Sequence, residues 1–287
     1  MMKAAVLGAG YMGSAIAQVC AKHGIPVFMW DISEHMLTHG LENIQSSLKR
    51  QCLKNRITVN EAERTFKLIL PTTELKQVEQ CEFVIESVKE DLQIKTNILK
   101  QVEKSVSDKC IIATNTSYLS VNELAESLNV KSRFLGMHFF APVLSMKLVE
   151  LVKSIHTNED TVQLARQFAI RISKTPIVLN KDTPGFLVNR VNSAIRVEAY
   201  KCYEEGIASI EDIDTALKLG LNHPMGPFEL NDMSGLDIGF YGLKSLYEQT
   251  KDARWIPPEI LLKKIKDKEL GVKTGKGWYD YSSGSKK

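Results

Sequence analysis

His138 and Glu150 are the two side chains in this sequence whose types and spacing are best suited to acid–base chemistry. Each lies in a short apolar segment typical of a β-strand, and Leu144, midway between them, falls in a predicted turn that begins at Pro142. If the two strands pair antiparallel, the two residues lie opposite each other, with Cβ atoms about 4.5–5.5 Å apart. An imidazole oriented by a carboxylate can accept the proton of an alcohol while the carbon gives up hydride, and its ordinary pKa of about 6.5 suits that task. From spacing alone, a strand histidine with a chance acidic neighbour is the more frequent explanation.

A glycine-rich loop, GAGYMG, follows the first predicted strand and opens the first predicted helix. In this GxGxxG pattern the first glycine permits a tight turn, the second lets the backbone approach a pyrophosphate, and the third allows close packing of helix on strand. Amides at the start of the helix, together with the helix dipole, favour a phosphate. The sequence therefore predicts a dinucleotide site formed by Gly8, Gly10, Tyr11, Met12 and Gly13.

Asp31 ends the second predicted strand, 21 residues after Gly10. This is close to the spacing of about 20 residues expected for the acid that binds the ribose of NAD. A carboxylate there accepts hydrogen bonds from the 2′-hydroxyl and repels a 2′-phosphate, so NAD is predicted rather than NADP. The alternative is a glycine turn with an unrelated surface aspartate, which the complete strand–loop–helix–strand unit disfavours.

The elements that would position these residues alternate between short apolar runs and longer stretches of helical periodicity. Such alternation predicts an α/β fold, with a Rossmann-type, mainly parallel sheet covered by helices on both faces. An antiparallel addition to this sheet would hold His138 and Glu150. The predicted strands cover residues 4–7, 27–30, 67–70, 83–86, 111–113, 134–138, 147–152 and 177–179, and helices are predicted over 92–102 and 159–173.

The alternation stops at Thr183-Pro184-Gly185, and beyond it we find helical segments and no convincing strand. We therefore predict a domain boundary near residue 184. Residues 1–184 would form the dinucleotide-binding domain, and residues 185–287 a smaller all-helical domain. The Ser/Gly/Lys tail after Tyr281 is expected to be disordered.

The composition excludes several classes of protein. The 287 residues carry 37 Lys+Arg and 34 Asp+Glu, and a net charge of +3 is too small to imply a nucleic-acid or membrane-surface partner. No apolar run approaches the 18–20 or so residues of a membrane span, and the N-terminus has no signal-peptide pattern. The five cysteines are scattered without a CxxC pair, which indicates a reducing, cytoplasmic location and neither a disulfide framework nor a metal site.

Motifs along essentially the whole chain resemble the 3-hydroxyacyl-CoA dehydrogenase family, the NAD-dependent oxidoreductases of fatty-acid and butanoate metabolism. The resemblance favours a catalytic reading of the histidine–glutamate pair over a chance pairing. Its motifs are the glycine loop, Asn115-Thr116-Ser117, His138-Phe139-Phe140, residues 146–150, residues 181–186, Asn189-Arg190, residues 224–230 and residues 273–277.

The resemblance implies roles for individual residues. His138 would be the general base in oxidation and Glu150 would orient it, while Ser117 and Asn189 would bind the 3-oxygen or the thioester region of the substrate. Because Asn189 follows the domain boundary and His138 precedes it, we expect the substrate between the two domains. Further positions match the family's NAD contacts (Asp31, Glu90, Lys95, Asn115, Ser117 and Lys273) and its CoA contacts (Ser47 and Lys54).

The implied reaction is the reversible oxidation of a short-chain (S)-3-hydroxyacyl-CoA, such as 3-hydroxybutyryl-CoA, by a homodimer joined through its helical domains. The basic residues from Lys49 to Arg56 could meet the phosphates of CoA, although a solvated helix end is the commoner explanation of such a cluster. One residue departs from the family pattern, since Ala141 stands where the family usually has Asn. A lost neutral hydrogen bond is worth about 0.5–1.5 kcal/mol, or roughly 2- to 13-fold.

Two other functions remain open at the level of sequence. One is an NAD-dependent dehydrogenase of a free 3-hydroxy acid, which would not need CoA contacts. The other is an NAD-binding member of the family with little catalysis, which the loss of a polar side chain at Ala141 makes conceivable.

Overall fold

The polypeptide forms two units, Met1–Thr183 and Pro184–Lys287, in a computed structural model that describes residues 2–282. The first unit contains both strands and helices, and the second is built from helices. The predicted disordered tail after Tyr281 lies, apart from Ser282, outside the described residues and stays a prediction.

Eight strands lie within residues 2–183: β1 (Ala4–Leu7), β2 (Val27–Trp30), β3 (Ile69–Thr72), β4 (Phe83–Glu86), β5 (Ile111–Thr114), β6 (Phe134–Phe139), β7 (Leu148–Lys153) and β8 (Thr175–Leu179). They form one sheet in the order β3-β2-β1-β4-β5-β6-β7-β8. Among these described strands every neighbouring pair is parallel except β6 and β7, which are antiparallel. The predicted Rossmann-type, mainly parallel α/β fold with an antiparallel addition is confirmed.

The helices of this unit are α1 (Tyr11–Lys22), α2 (Glu34–Leu53), α3 (Val59–Lys67), α4 (Leu92–Ser105), α5 (Val121–Glu126) and α6 (Glu159–Arg171). Polar residues begin several of them, since the side chains of Ser33, Asp91 and Ser120 accept hydrogen bonds from amides in the first turn. The apolar faces of the helices pack on the sheet, as where Phe168 of α6 stacks on Phe83 of β4 at 4.1 Å between ring centroids.

The third strand begins at Ile69, two residues later than predicted. Lys67 is the last residue of α3, and Leu68 caps that helix. The capping box of Thr58 and Glu61 starts α3, which therefore takes up the residues that a short apolar run had suggested for the strand.

The carboxyl ends of the central parallel strands form the edge at which a ligand is expected. β1, β2, β4 and β5 are buried along their whole lengths. The strands that follow β1 along the chain lie first on one side of it (β2 and β3) and then on the other (from β4 onward), so the strand order reverses between β1 and β4. In open α/β sheets, ligands bind outside the carboxyl ends of the strands at such a point. Gly8, Asp31, Ser87 and Asn115 each follow one of these four strands directly.

The second unit packs helices around an aromatic core in which Tyr200, Phe228 and Trp278 contact one another. Its helices within residues 184–282 are α7 (Val188–Glu204), α8 (Ile210–Gly220), α9 (Pro227–Ser234), α10 (Leu236–Thr250) and α11 (Glu259–Lys266). The buried carboxylate of Asp232 accepts hydrogen bonds from the amides of Trp278 and Tyr279, which attaches the final segment to α9. Across residues 2–282, no helix has the length and apolar composition of a membrane span.

Candidate active site

The glycine loop between β1 and α1 has the geometry of a phosphate cradle. Gly8 has φ +104°, and a Cβ there would lie 2.5 Å from the carbonyl oxygen of Ser87. A Cβ on Gly13 would lie 1.8 Å from the Gly8 carbonyl oxygen, so these two positions require glycine. Nothing lies within 4 Å of a Cβ built on Gly10, which leaves open space where a pyrophosphate approaches the start of α1. The loop therefore fits a dinucleotide such as NAD.

The carboxylate of Asp31 lies beside this loop, directly after β2. Its Oδ2 accepts a hydrogen bond from the Ala9 amide at 2.9 Å, and its Oδ1 accepts one from the Ser33 amide at 3.0 Å. An ionised carboxylate has about four lone-pair sites, so two remain for the hydroxyls of a ribose. Asp31 thus both anchors the loop and keeps the capacity to recognise NAD.

His138 and Glu150 form a buried pair across β6 and β7. The antiparallel register places the two residues opposite each other, as the sequence predicts. The imidazole Nδ1 lies 2.7 Å from Oε2 of Glu150, and the two residues are 4% and 0% exposed. Since a carboxylate only accepts, Nδ1 carries the hydrogen and donates it, which leaves a lone pair on Nε2. This arrangement can hold a proton taken from a substrate hydroxyl.

Ser117 lies on the other side of the imidazole, with its Oγ 3.1 Å from Nε2 of His138. The loop that carries Ser117 follows β5. Its neighbour Asn115 accepts a hydrogen bond from the Phe139 amide at 2.8 Å and donates one to Ser87 Oγ at 3.3 Å. Asn115 therefore ties the ends of β4, β5 and β6 together, which places Ser117 against His138.

Glu90 binds the loop that carries Ser117, and Lys95 lies beside Glu90. Oε1 of Glu90 accepts hydrogen bonds from the amides of Ser117 and Tyr118 at 2.9 and 3.1 Å and from the Thr116 hydroxyl at 2.5 Å. The Lys95 ammonium lies 3.3 Å from the other oxygen of Glu90. Burial by itself raises the pKa of Glu90, but Lys95 and these hydrogen bonds outweigh it and hold the pKa below its ordinary value. The carboxylate therefore stays charged.

Lys95 is itself 1% exposed, and its ammonium donates at 2.7 Å to Glu86, which is fully buried at the end of β4. Glu86 also accepts hydrogen bonds from the Thr114 hydroxyl at 2.6 Å and the Val88 amide at 2.7 Å. Glu86 was not among the site residues predicted from the sequence. The pair could have been recognised from the sequence by a pattern of two parts. Glu86 ends an otherwise apolar strand, and Lys95 lies on the apolar face of the next helix, in line with Leu99 and Val102.

Ser47 and Lys54, the two positions that the resemblance assigns to CoA, differ in their surroundings. Ser47 is half-buried and lines a cavity of about 180 Å³ between α1, α2 and the turn after β6, together with Arg50 and Pro142. Lys54 is exposed at the C-terminal cap of α2. A larger cavity of about 480 Å³ opens at the amino ends of β4 and β5, the opposite edge of the sheet from His138, and so lies away from this chemistry.

Asn189 and Lys273 belong to the helical unit. Asn189 is half-buried in the first turn of α7. Lys273 lies in a short 3₁₀-helix, Val272–Thr274, and its ammonium contacts both carboxylate oxygens of Asp237 at 2.5 and 2.6 Å. Ala141, where the family usually has Asn, is exposed in the turn after β6 and precedes a cis peptide bond to Pro142.

A Rossmann-type sheet with a glycine loop after β1, an acid directly after β2 and a buried histidine–carboxylate pair is typical of the class of NAD-dependent dehydrogenases. Family models described as "3-hydroxyacyl-CoA dehydrogenase, NAD binding domain" and "3-hydroxyacyl-CoA dehydrogenase, C-terminal domain" match residues 3–183 and 185–281. The chain belongs to the 3-hydroxyacyl-CoA dehydrogenase family. The predictions of family and of NAD as cofactor are confirmed.

Three proteins that are similar to the chain over most of their length are named as 3-hydroxybutyryl-CoA or hydroxyacyl-coenzyme A dehydrogenases. A probable 3-hydroxybutyryl-CoA dehydrogenase of Deinococcus radiodurans is 37% identical over 280 residues, which cover 98% of this chain and 100% of that protein. The mitochondrial hydroxyacyl-coenzyme A dehydrogenase of Sus scrofa is 38% identical, with 96% and 90% covered. The crystal structure of (S)-3-hydroxybutyryl-CoA dehydrogenase from Ralstonia eutropha superposes with a TM-score of 0.93 at 37% identity, covering 98% and 99% of the two chains.

Proposed function

We propose that this protein catalyses the reversible NAD-dependent oxidation of (S)-3-hydroxyacyl-CoA to 3-oxoacyl-CoA, with short-chain substrates such as 3-hydroxybutyryl-CoA. The observation that carries the proposal is the chain of contacts from the buried pair of Glu150 and His138 to the half-buried Ser117. Membership of the family and the names of relatives at 35–38% identity support the substrate class. The short acyl chain follows from those names and is part of the proposal.

In the proposed mechanism His138 is the general base. Bound NAD supplies the acceptor for the hydride that leaves the C3 carbon. The lone pair on Nε2 of His138 accepts the proton of the 3-hydroxyl, and the Glu150 carboxylate stabilises the imidazolium that forms. Ser117, whose hydroxyl contacts the same Nε2, donates a hydrogen bond to the substrate oxygen. In the reductive direction His138 returns the proton to the 3-oxo group.

The remaining contacts are proposed from the family. Asn189 binds the 3-oxygen or the thioester region, and Lys273 contacts NAD. Ser47 and Lys54 bind CoA. The helical unit forms the interface of a homodimer, and the five free cysteines agree with a reducing, cytoplasmic location.

The oxidation of NADH, followed by its absorbance, tests the function with acetoacetyl-CoA and, separately, with acetoacetate. We expect rapid turnover with the thioester and little with the free acid, because the free acid lacks the CoA that Ser47 and Lys54 are proposed to bind. Turnover with acetoacetate alone would favour a dehydrogenase of free 3-hydroxy acids. NADH binding without turnover of either substrate would favour a weakly catalytic family member, the alternative that Ala141 raised.

Lys54→Ala is expected to raise the KM for acetoacetyl-CoA by about 2- to 5-fold with an unchanged kcat, which is the scale of one exposed ionic contact. The reason is that Lys54 is exposed and would meet a CoA phosphate without touching the reacting atoms. Lys67→Ala, at the exposed end of α3, is the matched control and should leave the KM unchanged. Equal KM values for wild type and the Lys54 variant would contradict the assignment of Lys54 to CoA.

Asp31→Asn is expected to lower the preference for NADH over NADPH, measured as the ratio of kcat/KM, by roughly 10- to 100-fold, since a hydrogen bond to a charged group is worth about 1.5–3 kcal/mol. The amide removes the charge that repels a 2′-phosphate but keeps one oxygen to accept from the Ala9 or Ser33 amide. Glu34→Gln, on an exposed acid in the first turn of α2, is the control. An unchanged ratio in the Asp31 variant would show that another group selects the cofactor.

A further inference from the structure

Lys174 is a buried lysine that the proposed reaction does not use. It lies between α6 and β8 and is 7% exposed. Its ammonium donates hydrogen bonds to two backbone carbonyls, those of Val143 and Met146, the latter at 2.6 Å. Both carbonyls belong to the turn that joins β6 to β7, the strands that carry His138 and Glu150.

The charge of Lys174 is directed at this turn. No ion pair within 4.0 Å involves its ammonium among residues 2–282. Burial lowers the pKa of Lys174, and the nearby Cys20 thiol offsets this only in part. An ammonium that is removed from water must therefore be stabilised by the carbonyl dipoles that it contacts.

Two carbonyls of the turn receive hydrogen-bond donors from Lys174. The amides of Ser145 and Met146 both donate hydrogen bonds to the Pro142 carbonyl, at 2.9 and 3.0 Å, and therefore do not donate to the carbonyls of Val143 and Met146. The Val143 side chain is 1% exposed, which anchors the turn to the protein interior. The contact of Lys174 with the Val143 carbonyl is buried and that with the Met146 carbonyl is partly buried, and Lys174 supplies donors to both from one side chain.

The strand register connects this turn to the active site. Between the turn and the His138–Glu150 pair lies one ladder pair, Phe139 opposite Val149. A slip of one residue in an antiparallel pair turns every side chain to the other face, so a loosened turn would disturb the imidazole–carboxylate contact first.

We propose that Lys174 is a positioning residue for the His138–Glu150 pair, because its ammonium clamps the β6–β7 turn and so keeps imidazole and carboxylate opposed. The effect on kcat rests on the proposed function, whereas the effect on the His138–Glu150 contact does not.

Lys174→Met tests the proposal through two measurements on the full chain. Steady-state kinetics with NADH and acetoacetyl-CoA should show kcat lower by roughly 10- to 100-fold, the scale of a small misplacement of a catalytic group, with the KM for NADH within about 2-fold of wild type. Nuclear magnetic resonance of ¹⁵N-labelled histidine, without substrate, should show a change in the Nδ1 and Nε2 signals of His138. Lys174→Arg keeps the charge and the donors and should restore most of both.

Lys147→Met is the matched control, since Lys147 lies in the same turn with an exposed side chain. It should leave kcat and the His138 signals unchanged. Unchanged His138 signals and kcat in Lys174→Met would overturn the proposal, as would a loss of kcat with unaltered His138 signals. If Lys174→Met does not fold, Lys174→Gln, which keeps a donor group without the charge, is judged by the same two measurements.

The two proposals fail in different ways. If the wild-type protein does not oxidise NADH with acetoacetyl-CoA, the proposed function is wrong, but the His138 signals still decide whether Lys174 holds the pair. If the wild-type protein is active and Lys174→Met leaves those signals unchanged, the clamp alone is wrong.

Discussion

Replacement of His138 by glutamine is expected to lower the kcat for reduction of acetoacetyl-CoA by roughly 10²- to 10⁴-fold, the usual contribution of a general acid–base group. Glutamine can still hydrogen-bond to Glu150 and Ser117, so the packing of the buried site is kept. It cannot exchange a proton at neutral pH, so the 3-oxygen loses its acid. The Kd for NADH, measured by fluorescence, should stay within about 2-fold of wild type, because His138 is proposed to contact the 3-oxygen of the substrate and is assigned no contact with NADH.

The control for this variant is a second imidazole–carboxylate pair in the same unit. His156 contacts Glu126 at 2.5 Å, but its side chain is 33% exposed, and the pair lies at the surface. His156→Gln should leave kcat unchanged, since removing a histidine–glutamate contact is not by itself harmful. A His138→Gln protein with nearly wild-type turnover would exclude His138 as the base and would require another group to carry the proton.

Lys95→Met is expected to lower the free energy of unfolding of the first unit by about 3–5 kcal/mol, the usual result of removing one partner of a buried ion pair. The change leaves Glu86, which is fully buried, without its cation and removes the charge that lies 3.3 Å from Glu90. For a unit of this size, each kcal/mol corresponds to about 2–4 °C, so Tm should fall by roughly 6–20 °C. Thermal unfolding followed by circular dichroism measures the shift.

Two further variants separate burial of an unpaired charge from a general effect of substitution in α4. Lys100→Met, on the exposed face of the same helix, should change Tm by no more than about 2 °C. Lys95→Met combined with Glu86→Gln removes both charges and should recover part of the lost stability. A single Lys95→Met variant as stable as wild type would show that the ion pair does not stabilise the fold.

The same variant bears on a role that the family resemblance implies for Lys95. In the structure Lys95 is buried against Glu86 and Glu90, and Glu90 binds the loop amides of Ser117 and Tyr118. We therefore expect Lys95→Met to weaken NADH binding and to lower kcat together, through movement of the loop. A loss confined to the NADH affinity, with unchanged stability, would instead favour a direct contact between Lys95 and the cofactor.

Local patterns were sufficient for most of the fold. The strands β1, β2 and β4 have the predicted bounds, because buried parallel strands appear in a sequence as short continuous apolar runs. The prediction was wrong for the start of β3, where an apolar run near Leu68 belongs partly to the end of α3. Such a run has no periodicity that separates a strand from the last turn of a helix.

By itself, the sequence determined the α/β class, the glycine loop with Asp31, and the opposed positions of His138 and Glu150. Each depends on spacing within one or two neighbouring elements, which backbone geometry converts directly into position. Only the tertiary structure decided which groups support that pair: Glu90, with Lys95 beside it, binds the loop of Ser117, and Lys174 binds the β6–β7 turn. Glu90 and Ser117 are 27 residues apart, and Lys174 and Val143 are 31 residues apart, so only folding brings them together. A lysine in a sequence shows its charge but neither its burial nor the acceptors it will meet.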